Sequence, residues 1–153
     1  MDITLYCVGK LSAHYAPIFQ DYADRLRHYC RLRVIEVPEP KGKFRNEKER
    51  VERFSLELEE RLHGARYYVF DRAGKMFTSE EFAHWLGKAA SASREGLHFV
   101  LGGSDGLSEK LAAAAVMRIS FSPLTFPHQL FRVLLAEQLY RAFTISVGHP
   151  YHK

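Results

Sequence analysis

The chain has few of the features that would settle its class on sight. It carries two cysteines, Cys7 and Cys30, in 153 residues. They have no metal-ligand spacing and give no disulfide framework, so both read as buried thiols in a reducing compartment. No apolar run approaches the roughly 20 residues that a membrane helix needs. The opening segment, Asp2-Ile-Thr-Leu-Tyr-Cys-Val8, alternates instead of following a basic stretch with an apolar one. No secretion signal is therefore expected, and the expected location is cytoplasmic, with no membrane partner. Neither sign of charge dominates, with 22 Lys and Arg against 18 Asp and Glu. The net charge of +4 permits an anionic partner without requiring one. There is no linker, repeat or low-complexity stretch, which leaves a single domain over 1–153.

What is present is a regular alternation of strand and helix patterns. Ile3 to Val8, Leu32 to Val37, Ala65 to Phe70, Gly96 to Leu101 and Val116 to Phe121 read as short strands. The third is expected to close at Asp71-Arg-Ala-Gly74. Between the strands, Tyr15, Ile18, Phe19, Tyr22 and Leu26 recur at helical spacing, as do Val51, Phe54, Leu58 and Leu62. Asn46 with Glu49, and Thr78 with Glu81, have the capping-box spacing, and Ser108 can cap a short Ala-rich helix. A long helix is expected from His128 to about Ile145. This order predicts an α/β domain with a mostly parallel sheet and helices on both faces. Ligands of such sheets sit beyond the carboxyl ends of the strands, which directs attention to the loops after Phe70, Leu101 and Phe121.

Gly102-Gly-Ser-Asp-Gly106 follows an apolar strand. Glycine there would let the backbone approach a ligand, although a tight strand-to-helix turn has the same requirement. The segment fits neither the dinucleotide fingerprint nor the P-loop. Ser122-Pro-Leu-Thr-Phe-Pro127 holds two prolines in six residues. The prolines stiffen the loop and push Ser122 and Phe126 toward extended backbone, whose N–H and C=O groups are free for a ligand such as an adenine edge. The helix that follows is apolar on nearly every side, which implies burial and suggests cover from a second subunit. His128 and Arg132 share one face of it beside the proline loop, whereas Glu137 and Arg141 have the spacing of a structural i,i+4 pair. The tail, Gly148-His-Pro-Tyr-His-Lys153, concentrates His149, Tyr151 and His152, side chains able to stack on bases and hydrogen-bond their edges. It lacks the ligand spacing of a zinc site, and no metal is expected. Arg25, Arg27, Arg31, Arg33, Lys41, Lys43 and Arg45 form a run of cations that reads either as solvated surface or as a phosphate-contacting patch.

Phe99-Val-Leu-Gly-Gly-Ser-Asp-Gly-Leu-Ser108, Ser122-Pro-Leu-Thr-Phe-Pro-His128, Arg132-Val-Leu-Leu-Ala-Glu-Gln-Leu-Tyr-Arg-Ala142 and His149-Pro-Tyr-His152, in that order, resemble the ribosomal RNA large subunit methyltransferase H family. The likeness spans the chain. It implies a SPOUT-type α/β fold with a C-terminal trefoil knot, a homodimer, and S-adenosylmethionine as cofactor. The implied reaction is N3-methylation of a pseudouridine in 23S rRNA of the assembled ribosome. Cofactor positions carry over to Phe70, Gly102, Ser122, Pro123, Leu124, Thr125, Phe126 and Pro127. Where the family commonly has Gly-Gly-Pro-Glu-Gly, this chain has Ser104 and Asp105, and Phe70 stands where an aliphatic residue is frequent.

Methyl transfer to such a ring nitrogen requires in-line alignment and loss of the N3 proton. The expected catalytic set is Arg132 or Arg141 to stabilise developing charge, with His128, His152 or Tyr151 to orient the base or relay the proton. The competing expectation is a non-catalytic ribosome-binding or assembly factor on the same fold, which would bind rRNA without the cofactor. A flavodoxin-like nucleotide-binding enzyme is disfavoured by the missing phosphate motifs.

Overall fold

The structure, a computed structural model, describes residues 1–103 and 105–153; Ser104, where the glycine loop departs from the family pattern, lies outside them. Among the described residues five strands form one sheet, β1 (Asp2–Val8), β2 (Arg31–Val37), β3 (Tyr67–Met76), β4 (Leu97–Leu101) and β5 (Met117–Ser120), in the order β2-β1-β4-β3-β5. Every neighbouring pair is parallel, so all five carboxyl ends lie at one edge. Five helices connect and cover the strands: α1 (Ala16–Leu26), α2 (Glu47–Leu62), α3 (Ser79–Ala92), α4 (Glu109–Ala114) and α5 (His128–Ser146).

The two-residue period of the strands sorts the core onto two faces. Ile3, Leu5 and Cys7 of β1 point into one cluster with Leu26 of α1, Phe82 and Leu86 of α3, and Leu135 and Leu139 of α5. Tyr6 and Val8 point the other way, into a cluster with Phe54, Leu58 and Leu62 of α2 and Leu111 of α4. With both faces covered, Ile3 through Val8 is buried without a break, the pattern of a central parallel strand. Burial also pushes the Cys7 thiol up to about 12 and that of Cys30 to about 11, which suits their expected role as inert core groups.

Two local expectations are corrected. β3 does not close at Asp71; it runs on to Met76, because Phe70 and then Lys75 both pair with Ile119 of β5 and the residues between them are thrown out of register. Gly74 lies so close that a Cβ there would meet the Ile119 backbone at 2.6 Å. At α2 the Asn46 side chain caps Glu49 N–H at 2.9 Å, but the Glu49 carboxylate accepts from Arg45 N–H instead of completing the box. The reciprocal pair between Thr78 and Glu81 is complete at α3, and Ser108 caps Leu111 N–H at α4.

α5 packs between α1 and α3 on one face of the sheet, and no residue from His128 to Ile145 is fully exposed. Its all-round apolar character is thus met in large part by elements of its own chain. No helix among the described residues is long and apolar enough to cross a membrane.

Candidate active site

A cavity of about 500 Å³ opens beyond the carboxyl ends of β3, β4 and β5. The three loops singled out in the sequence build it. Phe70 comes from β3, Gly102 from the loop after β4, and Ser122, Leu124, Thr125 and Phe126 from the loop after β5. Pro123 and Pro127 belong to the same loop but do not line the space, so their part is to stiffen the chain between the residues that do.

Phe70, Phe121, Phe126 and Phe131 make one side of the cavity aromatic, with ring centroids 5.0 Å apart for Phe70 and Phe121 and 5.2 Å for Phe121 and Phe131. Flat rings of this kind accept a planar heterocycle against them. The β5–α5 loop supplies the polar side. Its first residues are tied locally: Ser120 Oγ donates to the Ser122 carbonyl at 2.9 Å, and Leu124 N–H donates to Ser122 Oγ at 3.0 Å. Among the described residues, the Pro123 to Phe126 carbonyls and the amides of Thr125 and Phe126 have no protein partner. Both donors and acceptors therefore remain for a ligand, as polar backbone requires. The remaining charged side chains at the cavity are Asp71, Arg72 and Asp105. Asp105 is held by Arg50 of α2 at 2.7 Å, and Asp71 lies 3.8 Å from Arg118.

The glycine loop owes its glycines to packing. A Cβ on Gly102 would come within 3.2 Å of the Gly106 backbone, and one on Gly103 within 3.1 Å of Val8 Cγ2. Gly106 has φ +79°, a left-handed conformation that favours glycine. From the far side, Ser55 of α2 accepts from Ser108 N–H at 2.9 Å.

The first turn of α5 reaches the cavity through His128 and Phe131. Arg132, the next residue, does not. It is 1% exposed, and its guanidinium donates to the Val8 carbonyl, to the Gly9 carbonyl at 2.7 Å and to Glu36 at 3.4 Å. A buried guanidinium bonded to strand-end carbonyls holds β1, β2 and α5 together. Beside it, Gln129 accepts from Ser12 N–H at 2.8 Å.

Arg141, Tyr151 and His152 come together elsewhere. From His128 to Arg141 is about 20 Å along the helix axis. Arg141 Nε donates to Glu137 at 2.9 Å, and Tyr151 OH donates to the same carboxylate oxygen at 3.1 Å. The guanidinium sits 4.8 Å from the centre of the Tyr151 ring. His152 Nδ1 lies 3.2 Å from Arg141 Nη1, and its Nε2 lies 2.8 Å from Glu80 of α3. An arginine only donates, so a hydrogen bond between these two groups needs Nδ1 as the acceptor, which leaves Nε2–H to donate to Glu80. Desolvation, with Tyr22 and Glu137 alongside, pushes the Tyr151 phenol well above its ordinary range. Glu80 is drawn down to about 2 by a backbone hydrogen bond, by His152 and by Thr78.

A family model described as "Predicted SPOUT methyltransferase" matches residues 1–152. The chain is 43% identical to the ribosomal RNA large subunit methyltransferase H of Clostridium acetobutylicum and 38% identical to that of Clostridium kluyveri, over all of this chain and all of each relative. The chain belongs to this SPOUT methyltransferase family. A probable methylase family protein from Haemophilus influenzae Rd KW20 shares the fold, with a TM-score of 0.53 at 11% identity over 99% of this chain and 70% of that one.

In this methyltransferase the residues named from the sequence fall into three settings. Phe70, Gly102, four of the loop residues and His128 face the cavity, Arg132 lies in the core, and the tail with Arg141 forms its own cluster on α5 and α3. Sequence reasoning missed Asp71, Arg72, Asp105 and Phe131 as lining residues. Asp71 and Arg72 lie in the out-of-register stretch of β3 that follows Phe70, and Asp105 in the glycine loop, both places that the sequence had singled out as carboxyl-end segments. No group of three or more His, Cys, Asp or Glu suited to a metal occurs among the described residues.

Proposed function

We propose that this chain methylates N3 of a pseudouridine in 23S rRNA of the assembled ribosome, with S-adenosylmethionine as donor and as a homodimer. The observation that carries the reading is the cavity at the ends of β3, β4 and β5, in a chain colinear with methyltransferases named for the large-subunit RNA. Its residues suit the cofactor. The aromatic side fits the adenine ring, and the unpartnered backbone from Leu124 to Phe126 fits its polar edge. Asp71 and Asp105 complement a cationic centre, and Arg72 a carboxylate. The trefoil knot belongs to the same proposal, supported by the match to the SPOUT methyltransferase family.

When bound, the cofactor supplies a methyl group on a sulfonium. The chain's own residues do the rest. The stiff β5–α5 loop and the phenylalanines fix the donor's orientation, so that alignment contributes most of the acceleration. His128 lines the cavity and would orient an incoming base. Arg141 would stabilise charge that develops on the ring as N3 passes its proton to His128 or His152, while Tyr151 orients the ring. In a homodimer the tail of one subunit would serve the cavity of the other, which reconciles the two separate settings.

Calorimetry with S-adenosylmethionine tests the first half: saturable binding is expected, and none at millimolar cofactor would sink the reading in favour of a non-catalytic factor. Mass spectrometry of 23S rRNA from cells lacking the protein tests the second. One N3-methylated pseudouridine should disappear, and unchanged methylation would refute the substrate.

A further inference from the structure

The cations that run together in the sequence from Arg25 to Arg45 are divided by the fold. Arg25 pairs with Asp21 at 2.9 Å, Arg27 with Asp24 at 2.9 Å, and Arg31 and Arg33 flank Asp2 at 2.9 and 2.6 Å. These four belong to the end of α1 and the start of β2, at the amino edge of the sheet, and each is matched by a carboxylate. Lys41, Lys43 and Arg45 lie in the loop after β2, at the carboxyl edge, with Lys10 in the neighbouring loop after β1. All four are exposed, and none enters an ion pair among the described residues.

Of the nearby carboxylates two are committed, while Glu39 and Glu47 have no hydrogen-bond or ion-pair partner among the described residues. Glu36 accepts from Leu11 N–H at 3.0 Å and from buried Arg132, and Glu49 accepts from Arg45 N–H at 2.8 Å. The two loops are joined: Gly9 N–H donates to the Val37 carbonyl at 2.7 Å. They also adjoin the cofactor cavity. A cleft of about 130 Å³ runs from Glu39 and Pro40 to Gly103, Asp105 and Gly106, and those last three residues line the cavity as well.

We propose that the loops after β1 and β2 form a phosphate-contacting shelf on which Lys10, Lys41, Lys43 and Arg45 grip the RNA backbone beside the methyl-transfer cavity. The proposal rests on the RNA methyltransferase reading and adds to it the surface that takes the substrate. Flexible cations without internal partners on the edge that carries the cavity are free to replace the counterions of a polyanion, whereas the paired arginines at the far edge are already neutralised.

The test compares two triple variants that remove equal charge. Lys41→Ser/Lys43→Ser/Arg45→Ser strips the shelf, and Arg25→Ser/Arg27→Ser/Arg31→Ser strips the amino edge. Binding to purified bacterial ribosomes is measured over a salt series, with S-adenosylmethionine affinity measured by calorimetry alongside. The shelf variant should bind ribosomes at least about tenfold more weakly and lose roughly 2 from the slope of log K against log salt, with cofactor affinity unchanged. The amino-edge variant should stay within about threefold of wild type. A shelf variant that binds as tightly as wild type, or an amino-edge variant that loses as much, overturns the shelf and leaves the methyltransferase reading standing. A wild-type chain that binds no ribosome overturns both.

Discussion

The start of α5 and its second half, taken with the tail that packs on it, carry the same residue types, a histidine, an arginine and aromatic rings, in opposite settings. At the start, the Arg132 side chain is 2% exposed and spends its hydrogen bonds on the carbonyls of Val8 and Gly9. Further along, the Arg141 side chain is 26% exposed, shares Glu137 with Tyr151 and touches His152. As sequence, Arg132 beside the proline loop reads as the functional arginine and Arg141 as half of a structural pair with Glu137, although either is a candidate to stabilise charge. What separates them is the partner: backbone carbonyls at a strand end make a joint, while a carboxylate, a phenol and an imidazole at a half-open surface make a group that can change partners. Architecture sits directly beneath the cavity, and the movable chemistry sits about 20 Å away along the helix.

Removing Arg132 should break the comparison most severely. Arg132→Met leaves two strand-end carbonyls without this donor and takes the guanidinium from Glu36, at a cost of about 3 kcal/mol or more, read as a fall in the denaturation midpoint. If Arg132 were catalytic instead, the variant would keep its stability and lose only turnover. At the other end the expectation reverses. Tyr151→Phe and His152→Ala should lower methyl incorporation into ribosomes by on the order of a hundredfold while stability changes by less than about 1 kcal/mol. Unchanged turnover in both would remove the tail from the mechanism.

A smaller effect belongs to the cradle. In Gly102→Ala the new Cβ would press on the Gly106 backbone at 3.2 Å and deform the loop that lines the cavity. A loss of roughly tenfold in S-adenosylmethionine affinity, about 1.4 kcal/mol, is expected by calorimetry, with the fold retained. Equal affinity in wild type and variant would show that the loop does not shape the site.

The fold class was legible because strand and helix periods alternate cleanly, and the cavity because carboxyl-end loops of a parallel sheet are ligand sites whatever the family. The loops after Phe70, Leu101 and Phe121 follow from that rule alone, whereas Phe70, Gly102 and Ser122 to Pro127 as individual cofactor positions come from the family resemblance. The role of Arg132 was not legible. Its partners are carbonyls of Val8 and Gly9, more than 120 residues away, and backbone atoms leave no mark in a sequence. The same blindness grouped seven cations by their nearness along the chain, where Asp2 on β1 neutralises two of them. The continuation of β3 past Gly74 escaped for a related reason: Asp71-Arg-Ala-Gly74 is good turn chemistry, overridden because β5 lies alongside to pair with Lys75.

The gentlest way to sharpen the contrast is to loosen the tail without touching its own residues. Glu80 of α3 accepts from His152, and its carboxyl is held near 2 rather than 4.5, so the folded state favours the charged form. A depressed carboxyl contributes its stability above 4.5, and the contribution fades as the pH falls from there toward 2. Glu80→Gln removes that dependence. The acid-unfolding curve of the variant should be flatter than wild type between those limits, with wild type the more stable above 4.5 and the two curves converging as the pH nears 2. Because His152 keeps Arg141, turnover at neutral pH should fall less than in His152→Ala. If Glu80→Gln instead matched His152→Ala in turnover, the α3 contact, rather than the α5 cluster, would be what holds the tail ready for its substrate.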